Sequence, residues 1–455
     1  MKHDSGPNLE HWKTMLRTGT YSIDELEKNV NVQKYREKIE PWIAALLQAE
    51  HLNLLIGSGL TTAIAHHSSA PQIDMSCDGL ASEYHEDVLA TATKSANIGG
   101  RKTPNIEDVI RTSLEFIQGL GVILEKQHDH DEFVKKAKEL HESWSEALEG
   151  KLSSFLGQIL ETEAGVRSCI ENDTAIAQKV RRLLCSFLLS FASRTSTRER
   201  LHVFTTNYDR VIEYGADLLG LRIISRFVGD LEPVFRASRL GVDMHYNPPG
   251  IRGEPRYLEG VIRLTKLHGS IDWRQIGGAE KVDRIVRTSL PFGAGPEHSQ
   301  VPQKASDGLI IYPNPAKDVE TLAYPYAELF RDFAAAVCQP NTVLVTYGYG
   351  FGDDHINRII RDMLTIPSTH LAVLSFDDAN GRLPTFCNHV GRDEQITLLV
   401  GPHFGDLETL VEHYLPKPAI DHTTWRMVDL LNRRTPRTSP DDPNEHHPEP
   451  GGGSE

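Results

Sequence analysis

Three short polar segments of this chain carry residue types suited to holding a nucleotide and acting on it. They are the glycine turn Gly57-Ser58-Gly59, the amide Asn207 and the imidazole His268, and each follows a strand-like run. Glycine turns at helix starts let backbone amides approach phosphates, asparagine both donates and accepts hydrogen bonds, and histidine exchanges protons near neutral pH. Because parallel strands direct their carboxyl ends at one crevice, we expect these residues to surround a single small molecule.

Each segment also has a purely structural explanation when it is taken alone. A Gly-x-Gly turn can serve chain reversal without any ligand. Asn207 or Asp209 can cap the helix that follows, and His268 can be a buried histidine with satisfied hydrogen bonds. The functional interpretation therefore depends on all of the segments occurring together and in one order.

The order of the segments resembles that of the sirtuin family of NAD-consuming enzymes. Its Gly-Ala-Gly-x-Ser, Thr-Gln-Asn-x-Asp and Leu-His-Gly segments correspond here to Gly57-Ser58-Gly59-Leu60-Thr61, Thr205-Thr206-Asn207-Tyr208-Asp209 and Leu267-His268-Gly269. A fourth segment, residues 348–357, is similar to the adenosine-side loop of divergent sirtuin-like proteins of bacterial antiviral defence. The resemblance extends from about residue 41 to residue 415.

The resemblance implies roles for individual residues. Asn207 and His268 are the implied catalytic pair: Asn207 holds a ribose hydroxyl or a water against the anomeric carbon, and His268 faces the nicotinamide-side ribose. The implied NAD-binding residues are Gly57, Ser58, Gly59, Thr61, Thr205, Asp209, Gly269, Gly348, Gly350, Asp353 and Asn357. No metal ion is expected, because the leaving group is a cationic pyridinium whose departure needs little acid assistance.

Three departures from the sirtuin deacetylases bear on the reaction. The four-cysteine zinc ribbon is absent, Thr206 replaces the usual glutamine, and the interval between Asn207 and His268 is longer. These departures favour an NAD hydrolase that releases nicotinamide and ADP-ribose and depletes NAD in antiviral (antiphage) defence. The resemblance further implies a HerA-type ATPase partner, and we expect a homo-oligomer. Two alternatives remain: an NAD- or ADP-ribose-binding regulatory subunit, and an NAD-dependent protein deacylase.

Composition excludes several other classes of function. The net charge of −15 disfavours direct binding to nucleic acid, because an acidic surface repels phosphate backbones. Five scattered cysteines argue against disulfides and indicate a reducing compartment. We find no signal peptide and no apolar stretch of the ~20 residues that span a bilayer, so we expect a cytoplasmic protein with no membrane contact. The run 128–132 contains two histidines, but its alternating spacing favours a solvated loop over a metal site.

Alternation of apolar strands and amphipathic helices after residue 200 predicts an α/β fold, a Rossmann-like doubly wound parallel sheet. Residues 41–415 form the predicted sirtuin-like domain, with a helix that starts at Pro41 and a large helical insertion at about 77–200. The insertion has two interpretations: it is either a structural subdomain, or a lid or oligomer contact.

Residues 1–40 are an N-terminal extension. Residues 416–455 are a C-terminal segment that we expect to be disordered from about 433, where apolar side chains nearly vanish. The predicted strands are Leu52–Ile56, Val203–Thr206, Val261–Leu267, Leu309–Tyr312, Thr342–Thr346, Leu371–Phe376 and Ile396–Val400.

Overall fold

The computed structural model of the chain describes residues 15–18, 21–23, 32–77, 79–80, 82–101, 103–125, 132–172, 174–238, 244–246, 256–276, 284–302, 304, 308–310 and 325–417. The described residues up to Pro416 belong to one compact unit. The segment from about residue 433, for which disorder is predicted, lies outside the described residues. No helix in the described part of the chain has both the length and the apolar character needed to cross a membrane.

A nine-stranded sheet, in which seven neighbouring strands run parallel, forms the centre of the fold. Two short antiparallel strands extend one edge of the parallel part. From that edge, the spatial order is β2 (Tyr21–Ile23), β1 (Met15–Thr18), β16 (Ile396–Val400), β15 (His370–Ser375), β14 (Thr342–Tyr347), β3 (His51–Ile56), β4 (His202–Thr205), β10 (Val261–Lys266) and β5 (Arg222–Ile224).

A second sheet is antiparallel. Its order is β13 (Gly308–Ile310), β11 (Gly269–Ile276), β12 (Arg284–Arg287), β7 (Val234–Phe235) and β6 (Phe227–Val228), and a separate pair joins β8 (His245–Tyr246) to β9 (Arg256–Tyr257). The strand predicted at Leu309–Tyr312 belongs here and not to the alternating parallel pattern. It pairs with β11 in antiparallel fashion. Strand β12 also pairs with β11 in antiparallel fashion. The connection from β11 to β12 is shorter than the dozen or so residues that a parallel crossover needs.

The helices flank the central sheet and fill the insertion. They are α1 (Val32–Leu46), α2 (Ser58–Ser68), α3 (His85–Ile98), α4 (Ile106–Leu124), α5 (Glu132–Glu171), α6 (Ala175–Ala192), α7 (Val211–Leu219), α8 (Tyr326–Val337), α9 (Asp354–Leu364) and α10 (Arg382–Val390), followed by helical turns at Asp393–Gln395, Leu407–Thr409 and Leu410–Tyr414. Helices α3 to α6 fall within the span predicted to be helical.

Two hydrophobic cores lie against the two faces of the sheet. Within β3, Leu54 and Ile56 belong to the core covered by α1, α2, α6 and α7, whereas Leu55 belongs to the core covered by α8, α9 and α10. This alternation follows from the two-residue period of a strand. Helices on both faces of a parallel sheet define a doubly wound fold, so the predicted fold class is confirmed.

Helix α1 begins earlier than the sequence predicts. The prediction starts a helix at Pro41, but the structure starts it at Val32 and places Pro41 inside it. Burial of Tyr35 and Ile39 in the core supplies the stabilisation that overrides the cost of an interior proline. The predicted extension 1–40 therefore contributes to the fold, since β1 also pairs with β16 at the edge of the sheet.

The strand order fixes where a ligand crevice opens. From β3 the chain moves to β4 and β10 on one side of the sheet, and later returns to place β14 on the other side of β3. The neighbourhood of β3 and β14 is therefore the point where the winding reverses, and ligands of such sheets bind outside the strand carboxyl ends at this point. The segments that follow β3, β4, β10 and β14 include all four motifs singled out in the sequence.

A histidine at the opposite end of the sheet makes stability sensitive to acid. His370 begins β15, and its Nε2 pairs at 2.8 Å with the Thr397 hydroxyl, which accepts a hydrogen bond from Trp42 Nε1. Burial lowers the pKa of His370 to about 4. The unfolded chain, with a histidine pKa of about 6.5, binds this proton more readily, so the stabilisation is present above pH 6.5 and is lost as the pH falls towards 4.

We predict that His370→Gln reduces this acid sensitivity. Between pH 7 and pH 4.5 the free energy of unfolding of the wild type should fall by ~2 kcal/mol more than that of the variant. Urea denaturation at several pH values measures the difference. His389→Gln, which changes an exposed histidine on α10, should retain the wild-type slope. Equal slopes for wild type and His370→Gln would contradict the assignment.

Candidate active site

A cavity of about 260 Å³ opens at the carboxyl ends of the central strands, where the winding reverses. Gly57 reaches it from the turn after β3, Asn207 from the turn after β4, and His268 from the junction of β10 and β11. The structure thus brings together three segments that are far apart in the sequence. Asn207 is 7% exposed and His268 is 4% exposed, so both side chains are shielded from bulk water.

Hydrogen bonds fix the orientation of the Asn207 amide. Its Nδ2 donates to the Gly57 carbonyl oxygen and to Thr61 Oγ1, both at 3.0 Å. Thr61 Oγ1 in turn donates to an Asp209 carboxylate oxygen at 2.7 Å. Because the Gly57 carbonyl can only accept, the nitrogen must face it, and the acceptor Oδ1 of Asn207 is left for the cavity.

Thr205, Thr61 and Asp209, implied as NAD-binding residues, act largely within the protein. Thr205 is fully buried and absent from the cavity lining; its hydroxyl donates to the Ile56 carbonyl and accepts from the backbone N–H of Asn207. Thr61 and Asp209 do line the cavity, but Thr61 links Asn207 to Asp209, and Asp209 also accepts from the Val211 amide at the start of α7. These bonds give Thr205 a positioning role beside Asn207, and its contact with NAD stays a prediction.

The glycines around β3 and β14 allow two backbones to touch. The Gly57 amide donates to the Tyr347 carbonyl, and the Gly59 amide donates to the Gly348 carbonyl. A Cβ added at Gly59 would lie 2.5 Å from the Gly348 Cα. The backbone amides of Gly57 and Gly59 thus join this turn to the end of β14, while phosphate binding by the turn stays a prediction. Ser58, between them, lines the cavity.

His268 lies beside acidic and imidazole groups of the β14 loop. One ring nitrogen of His268, a carboxylate oxygen of Asp353 and a ring nitrogen of His355 all lie within 4.8 Å of one another. These are donor types that can bind a metal ion. Gly269, implied as an NAD-binding residue, is outside the cavity lining; with a φ of +85° it turns the chain from β10 into β11. Residues 128–131, part of the other histidine-containing run, lie outside the described residues.

The loop between β14 and α9 is braced from within. Asn357 is 5% exposed, its Oδ1 accepts from the Tyr349 hydroxyl at 3.1 Å, and its Nδ2 donates to the Phe351 carbonyl at 3.0 Å. Phe351 has a φ of +49°, a left-handed conformation that such bracing maintains. Gly350 and Asp353 line the cavity, whereas Asn357 supports the loop from behind, and its contact with NAD stays a prediction.

A second cavity of about 870 Å³ adjoins the first. It lies over the ends of β14 and β15 and is lined by Gly59, Gly348 and the partly exposed Phe376. Residues shared by the two cavities are Ser58, Thr62, Gln72, Tyr349, Gly350 and Arg382. The crevice therefore has two chambers separated by the loop that follows β14, a shape suited to a ligand with two bulky halves.

Two arginines that the sequence analysis missed face this crevice. Arg382, the first residue of α10, lines both cavities and donates from Nε to the Gly350 carbonyl at 2.6 Å. Arg101, from the insertion, forms two hydrogen bonds to Asp108, while its Nε is buried with no acceptor in the described part of the chain. Burial, and then the nearby Arg101 charge, lower the pKa of Arg382. A guanidinium group such as that of Arg382, which lines both cavities, is of a type that binds anions such as a diphosphate.

One signal in the sequence could have identified Arg382 but not Arg101. Arg382 is the first residue of the helix that follows β15, the position that Ser58 has in the helix after β3. A search of every such helix start for cationic side chains would have included it. Arg101 comes from the helical insertion, and only the packing of that insertion brings it to the crevice.

The helical insertion forms one wall of the first cavity. Phe155, Ile159 and Thr162 of α5 line it. A buried ion pair fixes α5 there: Glu163 accepts from the Arg210 side chain and from its backbone amide at 2.7 Å. The insertion is therefore part of the candidate site, in addition to supplying most of a third core around Trp144.

We predict that the loop contact makes Gly348 intolerant of any side chain. Gly348→Ala combines a φ of +59° with a Cβ placed 2.5 Å from the Gly59 Cα. Gly260→Ala is a matched control, since its φ is +71° but no atom lies within 4 Å of the added Cβ. Gly260→Ala should lower the free energy of unfolding by ~1 kcal/mol, and Gly348→Ala should lower it by a further ~2 kcal/mol or more. Urea denaturation measures both changes. Equal losses of stability in the two variants would show that the turn after β3 and the loop after β14 can move apart without an energetic penalty.

Comparison with known proteins agrees with this geometry. Residues 201–393 match the family model described as a SIR2-like domain. No curated protein matches the chain. The matched region includes Asn207, His268, the loop after β14 and Arg382, but not the Gly57 turn. The match covers less than half of the chain and supports a relation to the sirtuin-like, NAD-related proteins.

Proposed function

We propose that the chain is an NAD hydrolase that cleaves the bond between nicotinamide and ribose, giving nicotinamide and ADP-ribose. The observation that carries the proposal is the first cavity, whose lining brings Asn207 and His268 together with the Gly57 turn. Such a cavity can hold a ribose and one oriented water while it excludes bulk solvent.

The charges of the crevice suit the charges of NAD. Glu107 and Asp209 line the first cavity, which favours the cationic nicotinamide ring. Arg382 stands at the junction of the two cavities with Arg101 beside it, which favours the diphosphate between the two nucleosides. The second cavity then receives the adenosine half. Phe155 and Ile159 offer apolar contact to the nicotinamide ring.

The proposed reaction is a displacement at the anomeric carbon of the ribose. A water donates one hydrogen bond to Asn207 Oδ1 and thereby directs a lone pair at that carbon. As the carbon–nitrogen bond breaks, its electron pair passes to the pyridinium nitrogen, so nicotinamide leaves uncharged. The attacking water releases a proton, which His268 accepts and passes to solvent. Asp353, within 4.8 Å of His268, stabilises the imidazolium that forms.

Further parts of the proposal rest on the sequence resemblance. They are the cytoplasmic location, the role in antiviral (antiphage) defence, the HerA-type ATPase partner and the homo-oligomer. An enzyme that empties the NAD pool must remain inactive until it is needed, so dependence on a partner fits the proposed chemistry. Activity should therefore be assayed with the chain alone and together with such an ATPase.

We predict that Asn207→Ala and His268→Ala each lower kcat for nicotinamide release by about 100-fold or more, because each removes a group that acts on the water or its proton. Chromatography of the products measures the release. His389→Ala, which alters an exposed histidine of α10, should retain full activity.

Thermal unfolding of the same variants shows whether the fold is retained. NAD binding without nicotinamide release, alone or with the ATPase, would identify a regulatory subunit instead. Release that requires an acyl-lysine peptide would identify a deacylase.

We predict that Arg382→Ala raises KM for NAD by ~10–100-fold, since a charge-assisted hydrogen bond to phosphate contributes ~1.5–3 kcal/mol. Arg392→Ala removes an exposed arginine just after α10 and is the matched control. Nicotinamide riboside, which lacks both phosphates, distinguishes phosphate binding from general damage. Wild type and Arg382→Ala should hydrolyse the riboside at similar rates. A matching loss on the riboside would contradict the phosphate assignment.

A further inference from the structure

We propose that His268, Asp353 and His355 form a binding site for a divalent transition-metal ion, with zinc as the best match. His268 follows β10, whereas Asp353 and His355 lie at the start of α9. One ligand atom from each residue lies within 4.8 Å of the other two. His268 is 4% exposed, and both ring nitrogens of His355 are shielded from solvent. This combination is distinct from the roles argued above for NAD hydrolysis, in which His355 takes no part.

The donor set identifies the class of ion. Two imidazoles and one carboxylate are ligands of zinc, iron, cobalt and nickel, whereas magnesium and calcium prefer oxygen alone. Zinc bound by three protein ligands keeps a fourth position open for water or another ligand. Two of the three proposed ligands, His268 and Asp353, line the first cavity. The Asp353 carboxylate contributes most to cation binding, because its negative charge offsets the partial positive charge at the amino-terminal end of α9.

The surroundings hold two of the three ligands in place. The Phe330 ring meets the His355 ring edge-on, with centroids 4.3 Å apart. The loop that carries Asp353 is braced by the Tyr349–Asn357–Phe351 hydrogen bonds. Residues behind the ligands that hold them in orientation increase the affinity of a protein for its metal ion.

Only a small movement completes the coordination. Bonds of ~2.0–2.1 Å place the ligand atoms of a tetrahedral zinc site ~3.4 Å apart. The ligand atoms, which lie within 4.8 Å of one another, must therefore approach by at most ~1.4 Å.

Occupancy of this site would switch off the proposed hydrolysis; this consequence rests on the proposed function, whereas the binding itself does not. A metal-bound His268 nitrogen has no lone pair left to accept a proton. In addition, a dication beside the ribose repels the positive charge that develops at the anomeric carbon. The same ion would tie the loop after β14 to the junction of β10 and β11.

Metal binding is tested directly with cobalt, whose absorption spectrum reports coordination by nitrogen and oxygen ligands. Full-length protein freed of metal with a chelator is titrated with cobalt and then with zinc as competitor. We expect one ion per chain with the spectrum of a four- or five-coordinate site, and at least ~10-fold weaker binding for His355→Gln and for Asp353→Asn. Magnesium should not compete.

The control for adventitious binding is the double variant His66→Gln, His67→Gln. These neighbouring histidines lie on α2 and line the second cavity. Their removal should leave the cobalt spectrum unchanged. Absence of a bound ion, or a spectrum lost in this double variant but retained in His355→Gln, would overturn the proposed site.

The effect on activity is tested with the same proteins. Stoichiometric zinc should inhibit nicotinamide release by the wild type by ~10-fold or more, while His355→Gln should keep its basal rate and lose the inhibition. Zinc that binds but leaves the rate unchanged, or raises it, would overturn the inhibitory role. The cobalt titration measures binding and needs no turnover. A protein that releases no nicotinamide would therefore contradict the proposed hydrolysis, while the metal site could still be tested.

Discussion

The contact between the turn after β3 and the loop after β14 is the constraint on which the rest of the site depends. Both segments leave neighbouring strands at the point where the sheet winding reverses, and their backbones touch with no room for side chains. The Gly59 amide donates to the Gly348 carbonyl across this contact. The position of Gly57 follows from it, and the Gly57 carbonyl is what orients Asn207.

A chain of directed hydrogen bonds extends that constraint to the proposed reaction. Asn207 donates to Thr61, Thr61 donates to Asp209, and Asp209 accepts from the start of α7. Each member can act in only one direction, because Asp209 is an acceptor and its partner must supply the proton. An aspartate at position 207 could not donate to the Gly57 carbonyl. The requirement for an amide at this position therefore follows from its protein partners as well as from the ligand.

The sequence predicts the parts of this site that depend on local pattern. Apolar runs that end in polar residues place Asn207 and His268 at strand ends, and strand alternation places those ends together. It does not predict which polar groups are consumed inside the protein. The Gly59 amide and the Asn357 side chain both have motif positions typical of ligand contacts, yet tertiary partners use them. Arg101 enters the crevice only through the packing of the insertion, which no local pattern records.

The insertion is fixed at the site by a buried ion pair whose main contribution is geometric. Burial raises the pKa of Glu163 to about 7, although the Arg210 guanidinium opposes that rise. A buried ion pair of this kind adds little net stability, because desolvation offsets most of the attraction. What it does provide is geometry: Glu163 holds both the side chain and the amide of Arg210, the residue that follows Asp209. Helix α5 is thereby fixed against the turn that carries Asn207, and the wall of the cavity is fixed relative to the group proposed to orient the water.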